Sequence, residues 1–266
     1  MDPIVIVNSK RTSVGSFQGS LSSVPAPKLG AQVIKNLLET TNIKKEDVDE
    51  VIMGEVLTAG VGQAPARQAA IYAGLTPATV CMTINKVCGS GLKAVMLAAD
   101  SIRLGHSTIA IAGGQESMSL APHLLENSRS GFRMGPASMT DSMIKDGLWD
   151  PYGNVHMGNL GDLCATEFHF TREMQDQFTV ESYKNAQAAV EKGVFKNEIV
   201  AVAIETKKGT TLVEKDDEPF NTQFEKIPTL KPVFNKDGSI TAANASKIND
   251  GDRKSTRLNS SHLVIS

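Results

Sequence analysis

Cys88 is the residue of this sequence whose surroundings best suit covalent chemistry. It follows an apolar run at residues 79–84 and precedes Gly-Ser-Gly, which opens a second apolar segment at 89–104. This spacing predicts a strand, a sharp turn and a helix, with Cys88 at the amino end of the helix. Unpaired amides and the helix dipole favour an anion there, so we expect available thiolate and a place for a developing oxyanion. The pattern therefore predicts a nucleophile that forms a covalent intermediate.

The other two cysteines, Cys81 and Cys164, have no such setting. Cys81 lies within the predicted strand and Cys164 within a helix-like segment, so both are interpreted as small buried apolar residues. The three cysteines show no metal-ligand spacing, and we expect no metal. An odd number of cysteines without a disulfide framework fits free thiols in a reducing compartment, and we expect a cytoplasmic protein.

A glycine-containing stretch from Gly60 to Ala70, GVGQAPARQAA, invites comparison with phosphate-binding loops. It lacks the third glycine of a dinucleotide fingerprint and the Lys-Ser/Thr of a P-loop. We interpret it as a tight loop that enters a helix.

Composition excludes several classes of partner. The 266 residues carry a net charge of −2, which gives no electrostatic reason to bind nucleic acid or an anionic membrane surface. No apolar run approaches the ~18 residues that a membrane span needs. The first residues also lack the basic and long apolar segments of a signal peptide.

Helical and strand-like segments alternate in the first half of the chain. Apolar periodicity predicts strands at 4–7, 51–57, 79–84 and 108–112 and helices at 28–39, 65–73 and 89–104. This alternation predicts an α/β sheet covered on both faces, with binding chemistry at the carboxyl ends of its strands. After Met118 the sequence becomes irregular, then predicts a helix capped by Thr171 and a strand at 199–205.

Seven segments, in order, resemble the amino-terminal part of the thiolase family. They are RTSVGSFQGSL (11–21), GQAPARQAA (62–70), INKVCGSGLKAV (84–95), AGGQESMS (112–119), DGLWDPYGNVHMG (146–158), LKPVF (230–234) and TAANAS (241–246). The resemblance is to the biosynthetic, acetyl-CoA acetyltransferase type and covers residues 1 to about 251.

The resemblance implies the α/β thiolase fold, which has five layers in the order α-β-α-β-α in the intact family. This chain would hold an incomplete first half plus a loop domain. We expect the first half at 1–119, the loop domain covering coenzyme A at 120–246, and the start of the return to the first half at 247–251. The carboxy-terminal half would be absent.

The resemblance also implies roles for five residues. Cys88 matches the catalytic nucleophile that accepts the acetyl group. Leu148, His156 and Met157 match residues that line the pantetheine channel, and Ser246 matches a serine near the pantetheine amide. The implied activity is the reversible condensation of two acetyl-CoA molecules to acetoacetyl-CoA and CoA.

Other properties follow from the same resemblance. Acetyl-CoA and acetoacetyl-CoA are substrates, no bound cofactor is implied, and the family forms homodimers or homotetramers. A degradative 3-ketoacyl-CoA thiolase and a non-catalytic fragment that binds acyl-CoA or an oligomer partner remain alternatives. Two departures from the family pattern are Gln115, where methionine is usual and a change of packing is expected, and Lys247, where a small residue is usual.

Three family segments do not occur in these 266 residues: Gly-His-Pro, Cys-x-Gly-Gly and Asn-Glu-Ala. In the family they supply the histidine and cysteine of proton transfer and an asparagine that holds a water. The stretch DRKSTRLNSSHLVIS at 252–266 instead resembles a translated sequencing adaptor, and its polar part has no amphipathic period. We therefore expect a non-native tail, a first half without its last strand, and an inactive chain that folds poorly alone.

Overall fold

The computed structural model describes residues 4–207 and 209–251 and, for the backbone alone, residues 262–265. Most of the tail that the sequence marks as non-native, residues 252–261 and 266, lies outside the described residues. The described chain divides into two units. The first comprises 1–122, 196–216 and 249–266, and the second comprises 123–195 and 217–248.

Strands and helices are numbered in chain order. The strands are β1 (Ile6–Thr12), β2 (Gly15–Ser16), β3 (Glu50–Gly54), β4 (Val80–Ile84), β5 (Ala110–Gly114), β6 (Glu116–Ser117), β7 (His123–Leu124), β8 (Thr140–Asp141), β9 (Trp149–Asp150), β10 (Val155–His156), β11 (Ile199–Val200), β12 (Val202–Thr206), β13 (Gly209–Val213), β14 (Asn249–Gly251) and β15 (His262–Ile265). The α-helices are α1 (Ala26–Thr41), α2 (Pro65–Tyr72), α3 (Ser90–Arg103), α4 (Met157–Glu167) and α5 (Arg172–Glu191). A π-helix spans Met143–Leu148, and 3-10 turns span Lys45–Asp47, Ser128–Ser130, Glu218–Phe220 and Phe224–Thr229.

A six-stranded sheet forms the centre of the first unit, in the order β11-β1-β15-β5-β3-β4. Strand β3 runs parallel to β4 and β5, β1 runs parallel to β11, and β15 is antiparallel to both of its neighbours. The strand–helix alternation predicted from the sequence is therefore confirmed, with element ends shifted by at most five residues.

Both faces of this sheet are covered by helices, which explains why β5 and all of β3 after Glu50 are uncharged and buried. Val51, Met53 and Ile111 pack with residues of α1 and α2. Ile52, on the opposite face of β3, packs with Ala94 and Ala98 of α3. The alternation of side chains along a strand thus distributes one apolar run between two layers of core.

One expectation about the chain's end is wrong. The first half was predicted to lack its last strand, but β15 lies between β1 and β5 and pairs with both. The short segment HLVI ends in three consecutive apolar residues, two of them β-branched, which the polar residues before it lack. The two strands beside it therefore have partners, rather than the open edges expected.

The first unit also contains residues that the sequence grouped with the loop domain. Residues 196–216 carry β11, β12 and β13, and Val202 and Val213 pack against Leu21 and Leu29. The buried Arg11 guanidinium bonds to Glu198, with Nε 2.5 Å from Oε1, and to Asp216, with Nη1 2.7 Å from Oδ1. The loop domain expected at 120–246 is therefore not continuous. The hairpin of β12 and β13 buries its apolar side against residues of the first unit.

The second unit is built from α4, α5 and short strands joined by long loops. Thr171 caps α5 as predicted, since its hydroxyl accepts from the amide of Met174. Asp162, buried on α4, accepts hydrogen bonds from the amides of Ser239 and Ile240 at 2.8 and 2.9 Å. Side chains on helices therefore hold the loops in place here. Among the described residues, no helix has the length and apolar character needed to cross a membrane.

Candidate active site

The carboxyl ends of three parallel strands lie level with one another in the first unit. Gly54 at the end of β3 pairs with Ile84 at the end of β4 and with Gly114 at the end of β5. The segments that follow, which contain Glu55, Cys88 and Gln115, therefore leave the sheet at the same edge. This is the position at which the sequence predicted the chemistry.

A tight turn carries Cys88 from β4 into α3. The amide of Val87 donates to the Asn85 side chain at 2.9 Å, and the Ser90 hydroxyl donates to the Val87 carbonyl at 2.6 Å. The same hydroxyl accepts from the amide of Lys86 at 2.8 Å. Two side chains, Asn85 and Ser90, thus brace the turn on either side of an exposed Cys88.

Val87, directly before Cys88, has a left-handed backbone with φ of 47°. A β-branched residue rarely adopts this conformation, and such strain costs about 1–3 kcal/mol. The side chain is half exposed, so its burial does not offset this cost. The turn holds Val87 in this state and thereby directs the following residue, Cys88, away from the strand.

The first amides of α3 are used within the turn itself. The Gly89 amide donates to the Lys86 carbonyl and the Ser90 amide to the Val87 carbonyl, each at 3.1 Å. These two amides are therefore not free to bind an anion at Cys88. The prediction that unpaired amides stabilise a thiolate there does not hold for Gly89 and Ser90. Any stabilisation of a thiolate by the helix must come from later amides and from the dipole of the whole helix.

Gly54 allows the start of α3 to approach the sheet closely. A β-carbon at this position would lie 2.6 Å from the Ser90 carbonyl carbon and 2.7 Å from the Gly91 nitrogen. Both are backbone atoms, which side-chain rotation cannot move. The last residue of β3 therefore sets the position of the helix that begins two residues after Cys88.

Three buried polar side chains lie just beyond the same strand ends. Glu116 accepts from the amides of Val56 and Leu57, each at 3.0 Å. Gln115 Nε2 donates to Glu55 Oε2 at 2.7 Å. Burial raises the pKa of Glu55 to about 8; the Gln115 hydrogen bond lowers it, and the charge of Glu116 raises it further.

The remaining cysteines differ from each other. Cys81 in β4 is half-buried, and burial raises the pKa of its thiol while nearby Arg67 lowers it. Cys164 on α4 is exposed, so its interpretation as a buried residue is wrong. The helix carries it on its outer side, whereas Asp162 and Ala165 are buried.

Four predicted binding residues lie in the second unit, and a short hairpin joins two of them. Strands β9 and β10 pair with His156 opposite Trp149. Leu148 directly precedes β9 and Met157 directly follows β10, so the hairpin places them side by side at one end. Leu148 is partly buried and Met157 is 40% exposed.

His156 is held in one orientation by its own helix and by an aromatic ring. Its Nδ1 accepts from the Gly158 amide at 3.0 Å, while its backbone amide donates to Asn159. Its ring stacks on Phe234 at 4.7 Å between centroids. Burial lowers the pKa of His156, which favours the neutral ring. Because Nδ1 accepts a hydrogen bond, the neutral ring carries its proton on Nε2, which is a potential donor to a substrate.

Ser246 is exposed just after a turn that other side chains fix. The Asn244 side chain accepts from the Thr241 amide at 2.7 Å and donates to Asp176 of α5 at 3.2 Å. Lys247, which departs from the family pattern, donates to the Ala242 carbonyl and pairs with Glu218. Its ammonium is thus occupied by neighbours within the second unit.

The glycine-containing loop before α2 is filled by its own side chain. Gln68 Nε2 donates to the carbonyls of Val61 and Gln63 at 3.1 and 2.9 Å. The amide of Ala66, in the first turn of α2, donates to Thr83. The interpretation as a tight loop that enters a helix is confirmed. The part of the chain that the structure describes also contains no cluster of three or more potential metal ligands.

Several residues that shape the site were not identified from the sequence. Gly54, Glu55 and Phe234 contribute through contacts with residues 36 to 78 positions away, which periodicity does not report. A glycine directly after the apolar run Val51–Met53 was the available signal for Gly54, since glycine in a strand often marks close backbone approach.

Comparison with known proteins gives a consistent result. Residues 4–253 match the model of the family described as "Thiolase, N-terminal domain". An acetyl-CoA acetyltransferase of Cupriavidus necator is 56% identical over 254 residues, and one of Pseudomonas aeruginosa is 53% identical over 253 residues. Each alignment covers 94% of this chain and 64% of the relative.

A solved structure shares the fold. The crystal structure of the Bacillus anthracis acetyl-CoA acetyltransferase superposes with a TM-score of 0.93 at 34% identity, covering all of this chain and 65% of that one. The predicted fold class is therefore confirmed for the amino-terminal part. The 266 residues span less than two thirds of the length of these relatives.

Proposed function

Because the chain belongs to the thiolase family through its amino-terminal domain, we propose that it is the nucleophile-bearing part of an acetyl-CoA acetyltransferase. The reaction is the condensation of two acetyl-CoA molecules to acetoacetyl-CoA and CoA, or its reverse. The observation that carries this proposal is the position of Cys88, exposed on a strained and braced turn at the carboxyl ends of three parallel strands.

In the first step the Cys88 thiolate attacks the acetyl carbonyl carbon. A new bond forms between that carbon and Sγ, the carbon–sulfur bond to CoA breaks, and the CoA thiolate leaves and takes up a proton. In the second step a base removes an α-proton from another acetyl-CoA. The resulting carbanion attacks acetyl-Cys88, which forms the carbon–carbon bond and releases the Cys88 thiolate.

The second unit would bind the substrate. The neutral His156 offers Nε2–H, and its stacking on Phe234 keeps that donor in one direction. Leu148 and Met157 form an apolar pair at the end of their hairpin, which suits the pantetheine chain. Ser246 adds an exposed hydroxyl for the pantetheine amide. Each of these roles is part of the proposal.

The groups that transfer protons in this family belong to segments that these 266 residues do not contain. Since each positioned proton-transfer group typically contributes ~10²–10⁴ in rate, we expect the 266-residue chain alone to show no measurable turnover. The exposed catalytic thiol also requires reducing conditions, which supports a cytoplasmic location. Assembly as a homodimer or homotetramer and the absence of a bound cofactor remain predictions.

A chimera tests the proposed reaction. Residues 1–251 are joined to the part of the Cupriavidus necator relative that follows its matched segment, and thiolysis of acetoacetyl-CoA is measured. We expect activity that falls at least about a thousandfold in Cys88→Ala and is retained in the matched control Cys164→Ala, whose thiol is also exposed. A second chimera is made with the Pseudomonas aeruginosa relative. If only one chimera is inactive, its junction is at fault and the proposed reaction stands.

Three outcomes would contradict the proposal or redirect it. Full activity in Cys88→Ala would remove the nucleophile from the mechanism. Preference for longer 3-ketoacyl-CoA substrates would favour a degradative thiolase over the acetyl-CoA acetyltransferase type of the relatives. Two folded but inactive chimeras would favour a fragment that binds acyl-CoA without catalysis.

A further inference from the structure

Glu55 and Gln115 form a buried pair whose hydrogen bonds are incomplete when Glu55 is ionised. Glu55 is 1% exposed and Gln115 is 2% exposed. Gln115 Nε2 donates to Glu55 Oε2 at 2.7 Å. The other two oxygens, Glu55 Oε1 and Gln115 Oε1, are buried and have no partner. Both are acceptors, so an ionised pair leaves two acceptors without a donor.

The surroundings of Gln115 Oε1 leave little space for water to supply that donor. Gly30 of α1 lies against it so closely that a β-carbon there would be 2.1 Å from the oxygen. A bridging water needs both volume and several polar partners. The missing donor must therefore come from within the pair.

A single proton satisfies both orphaned atoms. We propose that Glu55 is a neutral carboxylic acid and that it forms an acid–amide pair with Gln115, donating its proton to the amide oxygen. Reversing the assigned orientation of the Gln115 amide leads to the same conclusion. The amide oxygen would then face a Glu55 oxygen, and these two acceptors also require a proton between them.

The neighbouring Glu116 provides an internal contrast. Its two carboxylate oxygens each accept from a backbone amide at 3.0 Å, so its geometry suits the ionised form. A second ionised carboxylate at Glu55 would lie next to this charge in a buried place. Two adjacent buried glutamates thus hold opposite protonation states, because one faces donors and the other faces an amide.

The charges around the pair support this assignment. The pKa of Glu55 rises to about 8 through burial, which outweighs the Gln115 hydrogen bond, and through the charge of Glu116. The elements around the pair carry other titratable groups: Lys28, Lys35 and Glu39 on α1, Arg67 and Tyr72 on α2, Lys93, Asp100 and Arg103 on α3, and Asp250 on β14. Lys28 lies over the Tyr72 ring, Arg67 donates to backbone carbonyls, and the Asp250 carboxylate accepts from Ser119.

The pair lies directly beneath the start of the Cys88 helix. Glu55 follows Gly54, which contacts Ser90 and Gly91, and Gln115 donates its backbone amide to the Gly54 carbonyl at 2.9 Å. The sequence predicted only altered packing where Gln115 replaces the usual methionine. In the structure Gln115 also forms hydrogen bonds to Glu55 and Gly54. Loss of the Glu55 proton would weaken the end of β3 in alkaline solution. The protonation of Glu55 is independent of the reaction proposed for Cys88, so the two proposals can fail separately.

The pH dependence of folding tests the proposal. Folded Glu55 keeps its proton to a higher pH than unfolded Glu55, so the folded state binds more protons between about pH 4.5 and about pH 8. Stability contributed by this proton is therefore lost as pH rises through that interval. Urea unfolding of the 266-residue chain is measured from about pH 5.5 to about pH 9.5 for wild type, Glu55→Gln and the matched control Glu116→Gln.

We expect the folding equilibrium constant of wild type, divided by that of Glu55→Gln, to fall about tenfold per pH unit up to about pH 8 and then to level off. The amide in Glu55→Gln can replace the acid proton as a donor and does not titrate. Glu116→Gln keeps the titrating Glu55 but removes a charge that raises its pKa, so its folding constant should also fall with pH and level off at a lower pH than in wild type. A constant ratio for Glu55→Gln would overturn the proposal.

A spectroscopic measurement on wild type serves if a variant fails to fold. With ¹³C-labelled glutamate side chains, one carboxyl should remain protonated near pH 7 and titrate near the value given for Glu55, about 8. Labelling glutamate alone separates this signal from Asp250, whose pKa burial also raises. Complete ionisation of every glutamate at pH 7 would overturn the proposal.

Discussion

The residues proposed for catalysis and those proposed for substrate binding are held in place by different means. In the first unit, backbone packing positions Cys88: aligned strand ends, the contact at Gly54 and the left-handed Val87. In the second unit, side chains hold the loops: Asp162 accepts from the Ser239 amide 77 positions away, and Asn244 donates to the Asp176 side chain 68 positions away. Cys88 thus has a rigid support of packed backbone, whereas the proposed binding residues depend on side-chain contacts.

Replacing Gly54 should produce the largest effect, because it acts on backbone. In Gly54→Ala the new β-carbon meets the Ser90 carbonyl carbon and the Gly91 nitrogen, neither of which can rotate away. We expect the free energy of unfolding to fall by about 3 kcal/mol, the upper part of the range for overpacking. Urea unfolding measures this loss. A decrease below about 1 kcal/mol would show that the start of α3 can move, against the rigid support described here.

The equivalent change in the second unit should cost less. In Gly158→Ala the β-carbon would lie 2.2 Å from the Phe234 ring, which is the movable end of a side chain. We expect the ring to turn away and the His156 stack to be lost, at about 0.5–1.5 kcal/mol. Unfolding by urea gives the energy, and the NMR shifts of the His156 ring report the stack. A loss as large as that in Gly54→Ala would remove the contrast between the two regions.

The sequence predicted the first region better than the second. The strand, turn and helix around Cys88 follow from apolar periodicity and Gly-Ser-Gly, because these features are local. The left-handed Val87 could not be predicted, since valine disfavours that conformation and only the bonds of Asn85 and Ser90 hold it. For the second region, residue roles came from family resemblance alone.

The other features that were not predicted depend on residues that are far apart in the sequence or on how an element packs. Glu55 and Gln115 are 60 positions apart, so the sequence around one does not indicate contact with the other. From the sequence, Gln115 predicted only a change of packing. The exposure of Cys164 depends on which side of α4 packs, and the moderate amphipathicity of that helix left this open. Strand β15 was not predicted, because its short β-forming segment was interpreted together with the polar residues before it as one tail.

The effect of opposite sign is expected at Val87, where a substitution should stabilise the protein. Asn adopts the left-handed conformation more readily than a β-branched residue and lacks the chain entropy of glycine. Because Val87 is half exposed, Val87→Asn loses little apolar burial. We expect a gain of about 1 kcal/mol in unfolding free energy by urea titration. Destabilisation would show that the Val87 side chain stabilises the turn in a way that its exposure does not indicate.

The central claim is that Cys88 accepts the acyl group, and mapping the acyl-enzyme tests it most directly. The chimera described above is mixed with acetyl-CoA, quenched in acid and digested, and the acetyl thioester is located by mass spectrometry. We predict acetylation at Cys88 and none at Cys81 or Cys164, although Cys164 is also exposed. Acetylation at Cys164, or equal acetylation of the two exposed thiols, would contradict the assignment.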